Sequence, residues 1–102
     1  MPSSRSVRHT VSARRDIIEI LEYTLQTWDE EQSDAYAADL DAGIATLASY
    51  PNLGSEVSPK QPGLRRFKVR EHLILYRVES DELIVLRVVH PRTNLARVIV
   101  NE

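Results

Sequence analysis

Apolar residues are concentrated in three strand-length runs in the second half of the chain. Three runs rich in Val, Ile, Leu, Phe and Tyr occupy residues 64–69, 72–79 and 83–90, and polar or turn-forming residues close each run. The connections between them are only two or three residues long, which leaves no room for a crossover helix. The pattern therefore predicts an antiparallel meander of three strands.

The first half of the chain changes to a helical period. Residues 6–11 alternate in the manner of a short edge strand, and Ser12 is then predicted to cap a helix over residues 13–28. Asp29, with Gln32 three positions later, forms a capping box for a second helix that ends near Tyr50, before Pro51. The short linker predicts a helical hairpin, and residues 51–62 are predicted to be irregular.

These elements predict one domain over residues 1–102, of the α+β class and with the order β-α-α-β-β-β. The antiparallel sheet is packed on one face by the helical hairpin. Apolar residues occupy both faces of the last two strands, as in the run of residues 83–86. The second face therefore needs a cover, either a partner protein or the chain's own C-terminal tail, residues 94–102.

Composition narrows the class of protein. The chain is 42% hydrophobic and 27% charged, which is typical of soluble globular domains. It contains no cysteine, which excludes disulfides and thiolate metal sites, and the His, Asp and Glu residues are not clustered at metal-ligand spacing. No leader segment and no membrane span are predicted. We expect a cytoplasmic protein with no metal and no cofactor.

Charge is distributed unevenly along the chain although the net charge is only −2. Residues 1–15 carry +4, residues 16–59 carry −10, and residues 60–102 carry +4. Such asymmetry indicates either surfaces with different partners or a solvated helix face. The basic residues between positions 60 and 70 are Lys60, Arg65, Arg66, Lys68 and Arg70. They predict contact with an anionic partner or, alternatively, an edge strand that charge keeps soluble.

The candidates for chemistry are few. RNA cleavage requires a base, an acid and cations around the phosphate, and His72, Tyr76, His90 and Arg92 are the candidate residues for that role. Adjacent antiparallel strands bring the first and third of these close together. A histidine at a strand end is more often a structural group than a catalytic one, and the sequence favours no catalytic set. His9 is predicted to be structural, and Trp28 is predicted to lie in the core.

The ordered series of residues along the chain resembles the RelE/ParE toxin superfamily, most closely ParE-type toxins. The series runs from Val7 to Arg92 and ends in His72-x-Ile74-x-Tyr76 and Val89-His90-Pro91-Arg92. Its other members are Ala13, Asp16, Ile17, Ile20, Tyr23, Trp28, Ala35, Tyr36, Leu40, Leu47, Pro51, Gly54, Gly63, Arg65, Ile84 and Val88.

The resemblance implies a toxin of a type II toxin-antitoxin system, a class associated with plasmid stabilisation. ParE-type toxins inhibit DNA gyrase by protein contact and need no catalytic residue, whereas RelE-type relatives cut messenger RNA on the ribosome. The implied partner is a ParD-like antitoxin of the ribbon-helix-helix type, in a hetero-oligomer with the toxin. The residues predicted to bind partners are Arg65, Arg66, Phe67, Lys68, Arg70, Tyr76 and Arg92. A free chain less soluble than the complex is also expected.

Overall fold

A computed structural model describes residues 4–98 and residue 100. Strand β1 (Ser6–His9) leads into helices α1 (Val11–Thr27) and α2 (Glu30–Ser49). After a short 3-10 turn (Pro51–Leu53) come strands β2 (Ser55–Glu56), β3 (Arg65–Val69), β4 (His72–Glu79) and β5 (Glu82–Val89), and a second 3-10 turn (Leu95–Arg97) follows. The predicted order and the α+β class are confirmed. The two-residue strand β2 lies inside the segment predicted to be irregular.

The five strands form one mixed sheet in the order β1-β5-β4-β3-β2. The predicted meander β3-β4-β5 is antiparallel, and β1 lies at the sheet edge as expected. The pairing of β1 with β5 is parallel. The helices return the chain to the end of the sheet at which β1 starts. Strands β3 and β4 then run in opposite directions, so β5 runs the same way as β1. A bulge between Leu75 and Tyr76 interrupts the β4–β5 register, where Leu75 pairs with Arg87 but Tyr76 pairs with Val85.

Both helices begin at side-chain caps, one of which differs from the prediction. The Asp29 carboxylate accepts a hydrogen bond from the Gln32 N–H at 2.8 Å, as the capping-box pattern predicts. The cap of α1 is Thr10 and not Ser12. The Thr10 hydroxyl accepts from the Ala13 N–H at 3.0 Å and donates to the Leu86 carbonyl at 2.8 Å. This second bond, to β5, is a tertiary contact that Ser12 does not make, and it starts the helix two residues early.

The helices cover one face of the sheet, here called the helix side. Its core contains Ala13 of α1, four residues of α2 and five residues of β4 and β5, namely Tyr36, Leu40, Ile44, Leu47, Ile74, Tyr76, Leu83, Val85 and Val88. Phe67 and Val69 of β3 pack against it. These two residues lie opposite Ile74 and His72 in the register. The buried apolar area on this side is the main source of stability.

The other face, the tail side, is covered by the chain itself. Its core residues are Leu64, Leu73, Leu75, Ile84, Leu86 and Val89, each no more than 8% exposed. Val57 and the tail residues Leu95, Val98 and Val100 pack on them. Of the two covers predicted, the tail is therefore correct for the described residues, and the expectation of an open apolar face awaiting a partner is wrong. Residues 99, 101 and 102 of that tail lie outside the described part.

Ion pairs join the acidic helices to the basic sheet. Asp16 of α1 binds Arg87 of β5 at 2.7 Å, and Asp39 of α2 binds Arg70 beside β3. Part of the charge asymmetry along the sequence is thus satisfied within the chain. Among the described residues, no helix is long and apolar enough to cross a lipid bilayer.

Candidate functional site

A cleft of about 800 Å³ opens where α1 and α2 overhang the end of the sheet. We call it the histidine cleft. Its polar walls are Asp16, Glu19, Tyr36, Arg70, Glu71, His72 and His90, and its aromatic rim is Tyr23 and Trp28. The residues come from both helices, from the β3–β4 turn and from the end of β5. Only the folded chain brings them together.

Tyr36 anchors the floor of the histidine cleft. Its hydroxyl accepts a hydrogen bond from the Glu71 N–H at 3.1 Å and lies 2.5 Å from Nδ1 of His72. The Tyr36 oxygen already accepts a hydrogen bond from the backbone, so we assign its own O–H as the donor to Nδ1 of His72. Burial raises the pKa of Tyr36, and burial followed by the nearby His90 lowers the pKa of His72. In this assignment a neutral tyrosine donates to a neutral histidine.

His90 stands beside His72 at the mouth of the cleft. The two ring centroids are 6.3 Å apart and the rings are nearly perpendicular, so the expectation that the meander brings the histidines together is confirmed. The Arg92 N–H donates to Nδ1 of His90 at 3.1 Å. In the neutral form, both rings thus use Nδ1 as an internal acceptor and carry a proton on Nε2. Two N–H donors remain for an outside ligand.

Arg70 closes one side of the cleft. Its guanidinium carbon lies 5.1 Å from the centroid of the Tyr36 ring, and its Nε is ion-paired with Asp39. Arg70 has φ of 49° in the tight β3–β4 turn, which turns its side chain back over α2. The cation is exposed but already partnered, so an anionic ligand has to compete with Asp39 for it.

Asp16 closes the opposite side of the cleft. Beyond the end of β1 the edge of β5 is open, and Asp16 fills it by accepting from the Val88 N–H at 3.0 Å and from the Arg87 side chain at 2.7 and 3.0 Å. This pairing raises the pKa of Arg87. The helix therefore substitutes for a missing strand at the bulge.

Comparison with known proteins identifies the family. The family model for the ParE toxin of type II toxin-antitoxin systems matches residues 7–95. The chain belongs to the ParE toxin family. Toxin ParE1 of Caulobacter vibrioides is 33% identical over 82 residues, which is 80% of this chain and 84% of that protein.

Two solved structures share the fold of this ParE-family chain. The chromosomal ParDE system from P. aeruginosa gives a TM-score of 0.72 at 20% identity, covering 85% of this chain and 96% of that one. The toxin-antitoxin complex RelBE2 from Mycobacterium tuberculosis gives 0.64 at 23% identity, covering 86% and 99%. The matched family is that of toxins from type II toxin-antitoxin systems.

Of the four residues predicted for RNA cleavage, Tyr76 does not join the other three in this ParE-family toxin. Tyr76 is 0% exposed, and its hydroxyl donates to the Pro51 carbonyl at 2.5 Å and accepts from the Gly54 N–H at 3.0 Å. The predictions that Tyr76 is catalytic or contacts a partner are therefore wrong. Arg92 is exposed beside His90, but it touches that ring through its backbone N–H.

The basic strand β3 presents two different faces. Arg66 and Lys68 are exposed on the tail side, opposite Leu75 and Leu73, and remain candidate partner contacts. Arg65 lies on the helix side and donates to the carbonyls of Asn52, at 3.3 Å, and Gly54. The partners of this partly buried arginine are therefore backbone carbonyl oxygens and not a carboxylate.

Two further predicted contacts, Phe67 of β3 and Arg70 in the turn after it, are already engaged within the chain. Phe67 packs against the helix-side core, so the structure does not support it as a partner contact. Arg70 is exposed at the cleft with Asp39 beside it.

Trp28 is not a core residue. It is 72% exposed at the C-terminal end of α1, on the rim of the histidine cleft together with Tyr23, which is 68% exposed. The predicted core position is wrong because α1 runs beyond the sheet before it ends. His9 is half-buried in β1, and burial with the nearby Arg14 lowers its pKa, as suits a structural group.

The residue that sequence reasoning missed is Tyr36. Its ring lies in the helix-side core, as the apolar spacing of α2 would suggest. The signal was its hydroxyl, since a buried tyrosine needs a hydrogen-bond partner and a histidine is a suitable one. In the described part of the chain, no group of three or more His, Asp or Glu residues is arranged to hold a metal ion.

Proposed function

We propose that this ParE-family toxin inhibits DNA gyrase by protein contact and is neutralised by a cognate ParD-like antitoxin of the ribbon-helix-helix type. The observation that carries the proposal is the match to the ParE toxin over residues 7–95. Because gyrase acts on chromosomal DNA, the proposal places the toxin in the cytoplasm, where it forms a hetero-oligomer with its antitoxin until it is released.

The chemistry of the histidine cleft supports binding over catalysis. A general base for a 2′-hydroxyl must offer an unprotonated nitrogen to the substrate. Nδ1 of His72 is occupied by Tyr36 and Nδ1 of His90 by a backbone N–H. Asp16, Glu19 and Glu71 line the same cleft and oppose the approach of RNA phosphates. An enzyme that cleaves RNA needs the reverse arrangement, with free acceptors and an excess of cations.

The exposed groups suit protein contacts. Trp28 and Tyr23 offer large aromatic surfaces beside the cleft, and aromatic side chains of this kind dominate binding energy at interfaces. Arg66 and Lys68 present positive charge on the tail side of β3. Together with Arg92, they are the cations we propose to meet acidic segments of the antitoxin or phosphates of the DNA held by gyrase.

A ribosome-dependent mRNA endonuclease is the second candidate. The separation of 6.3 Å between the His72 and His90 rings favours it, because two histidines at this distance are able to share a phosphate between them. The mechanism would require Arg70 to leave Asp39 and His72 to change tautomer, so that the cleft has a cation and a base. These rearrangements are the reason we rank it second.

Supercoiling by purified gyrase, measured with and without the free toxin, tests the proposal. We expect loss of supercoiling that increases with toxin concentration and is reversed by an equimolar amount of the antitoxin. The matched variant is His90→Gln, which removes an exposed imidazole at the cleft mouth. It is expected to inhibit gyrase like the wild type.

The competing outcome is as specific. Undiminished supercoiling, together with mRNA cleavage in a translating extract that His90→Gln abolishes, would reject gyrase inhibition and establish the endonuclease. A gene for a small ribbon-helix-helix protein directly upstream would support the antitoxin half of the proposal, and failure of its product to bind the toxin would reject that half.

A further inference from the structure

Helix α1 carries an apolar stripe on its outer face that the core does not use. Val11, Ile18 and Leu25 are 71%, 55% and 49% exposed. They are spaced seven residues apart, so their directions drift by only about 20° from one to the next. The buried residues of the same helix, Ala13 and Thr24, point elsewhere. The stripe is therefore a seam of three apolar side chains, about 10.5 Å apart along the outside of the helix.

Charged residues flank this seam in an ordered way. Arg14 precedes Ile18 by four positions and Glu22 follows it by four, and both are exposed. Within the described part of the chain, the ion pairs involve other side chains, such as Arg8 with Glu82 and Arg70 with Asp39. Val11 and Ile18 line one shallow depression on the surface together with four charged residues, in which both basic residues precede Ile18 and both acidic residues follow it: Arg14, Arg15, Glu19 and Glu22.

We infer that the toxin forms a homodimer in which α1 packs antiparallel against α1 of a second copy, with the two-fold axis at Ile18. In that arrangement Ile18 meets Ile18, and Val11 meets Leu25 of the other copy. Arg14 of each copy then lies opposite Glu22 of the other, which gives two equivalent ion pairs. The antiparallel direction also aligns the helix dipoles favourably.

The self-complementarity of the seam is the reason to choose a second copy as the occupant. Arg14 lies four residues before Ile18, and Glu22 lies four residues after it. These opposite charges come together only when the second helix runs antiparallel to the first. In a parallel pair, Arg14 would face Arg14 and Glu22 would face Glu22, with repulsion at both places. A helix of 17 residues is about 25 Å long, so the interface is small and the dimer dissociates on dilution.

Disulfide trapping tests the geometry, because the chain has no cysteine of its own. In the full-length toxin, Ile18→Cys is expected to form a covalent dimer on mild oxidation. Val11→Cys alone is not, since its two copies lie about 21 Å apart in the antiparallel pair, far beyond the reach of a disulfide. A mixture of Val11→Cys and Leu25→Cys is expected to cross-link. Equal cross-linking by Val11→Cys alone would overturn the proposal.

Sedimentation over a range of toxin concentrations tests the energetics. Ile18→Asp is expected to weaken the dimer by about tenfold or more, whereas Gln26→Asp, which adds the same charge to an exposed position outside the seam, leaves it nearly unchanged. Arg14→Glu is expected to weaken the dimer, and the double variant Arg14→Glu/Glu22→Arg to restore it. A toxin that stays monomeric throughout, or a double variant as weak as the single one, would refute the inference.

This inference is separate from the proposed target. Gyrase inhibition by a monomeric Ile18→Asp variant would support both the proposed target and the role of Ile18 in the dimer. A dimer that does not inhibit gyrase would reject the target while supporting the dimer. Binding of the antitoxin to Ile18→Asp with wild-type affinity is expected, and loss of that binding would show instead that the seam is an antitoxin contact.

Discussion

Two tyrosines near opposite ends of α2 make the same hydrogen-bond pattern in different surroundings. Tyr76 accepts from the Gly54 N–H and donates to the Pro51 carbonyl, and it is completely buried. Tyr36 accepts from the Glu71 N–H and is bonded to His72 beside an open cleft. The Tyr76 hydroxyl joins two backbone groups, neither of which is ionisable. The Tyr36 hydroxyl is bonded to an imidazole, so this hydrogen bond is sensitive to pH.

The comparison separates a structural end of the helix side from a functional one. Backbone groups pair with the Tyr76 hydroxyl, so this tyrosine fixes the loop at residues 51–54 and has no polar group available to a ligand. Where a titratable ring does so, the same interaction leaves donors and charges at the surface. In this toxin a buried polar bond marks a candidate site only when its partner is itself ionisable.

The largest effect is expected at Gly54, on the structural end. A β-carbon there would lie 2.6 Å from the Arg66 carbonyl oxygen and would overlap the Tyr76 hydroxyl. Gly54→Ala is therefore expected to cost about 3 kcal/mol of unfolding free energy, measured by urea denaturation. Gly63→Ala is the control, because Gly63 has φ of 86° but open space, and about 1 kcal/mol is expected from backbone strain alone. Equal losses would mean that the tight contact is unimportant.

The next effect separates the two tyrosines directly. Tyr76→Phe leaves a buried N–H and a buried carbonyl without partners and is expected to cost about 2–3 kcal/mol. Tyr36→Phe is expected to cost about 1 kcal/mol, since water in the cleft can replace the hydroxyl. Chemical denaturation of both variants at pH 7.5 measures the difference. A larger loss for Tyr36→Phe would invalidate the distinction between a closed end and an open end.

The pH dependence of stability is a smaller effect. The pKa of His72 is lowered in the folded chain, so the unfolded chain binds more protons below the ordinary histidine pKa of 6.5. The stability that the neutral ring contributes is present above pH 6.5 and is lost as the pH falls through the folded-state pKa. His72→Gln is expected to flatten the fall in unfolding free energy between pH 7.5 and 5, measured by urea denaturation at each pH.

His9 provides the control for that titration, because burial lowers its pKa as well. His9→Gln should remove its own share of the pH dependence while leaving the cleft intact. If His72→Gln leaves the pH profile unchanged while His9→Gln removes it, the open end of the helix side is not the pH-sensitive one.

The smallest effect on stability is expected for Trp28→Ala. The side chain is 72% exposed, so its removal should change the unfolding free energy by no more than about 0.5 kcal/mol. We expect a measurable loss of affinity for the antitoxin or for gyrase, which calorimetric titration would detect. The control is Tyr50→Ala, because Tyr50 is 54% exposed and lies outside the cleft. A destabilised Trp28→Ala protein would mean that the indole supports the fold.

Much of the architecture could be predicted from periodicity because β3, β4 and β5 are close in sequence and joined by tight turns. The capping box at Asp29 was equally local. Thr10 and Ser12 are both good caps, and the choice between them depends on a bond to Leu86 that no local pattern contains. Trp28 has the spacing of a core residue, but the sheet does not extend under it.

The candidate site was less predictable for a related reason. His72 and His90 were expected to meet because they occupy facing ends of adjacent strands. Tyr36, Arg70 and Asp16 come from elements whose relative placement depends on how the helices lie across the sheet. Their contribution emerges only from tertiary packing, as does the closure of the tail side by Leu95 and Val98.

The parallel pairing of β1 with β5 has a consequence for how the toxin comes into being. Ser6 is aligned with Glu82, so the first strand to leave the ribosome must wait for one of the last before it has a neighbour. During translation the sheet therefore stays incomplete until most of the polypeptide has been synthesised. A toxin built this way therefore completes its folded sheet, and with it the surfaces that a target could recognise, only late in its own production.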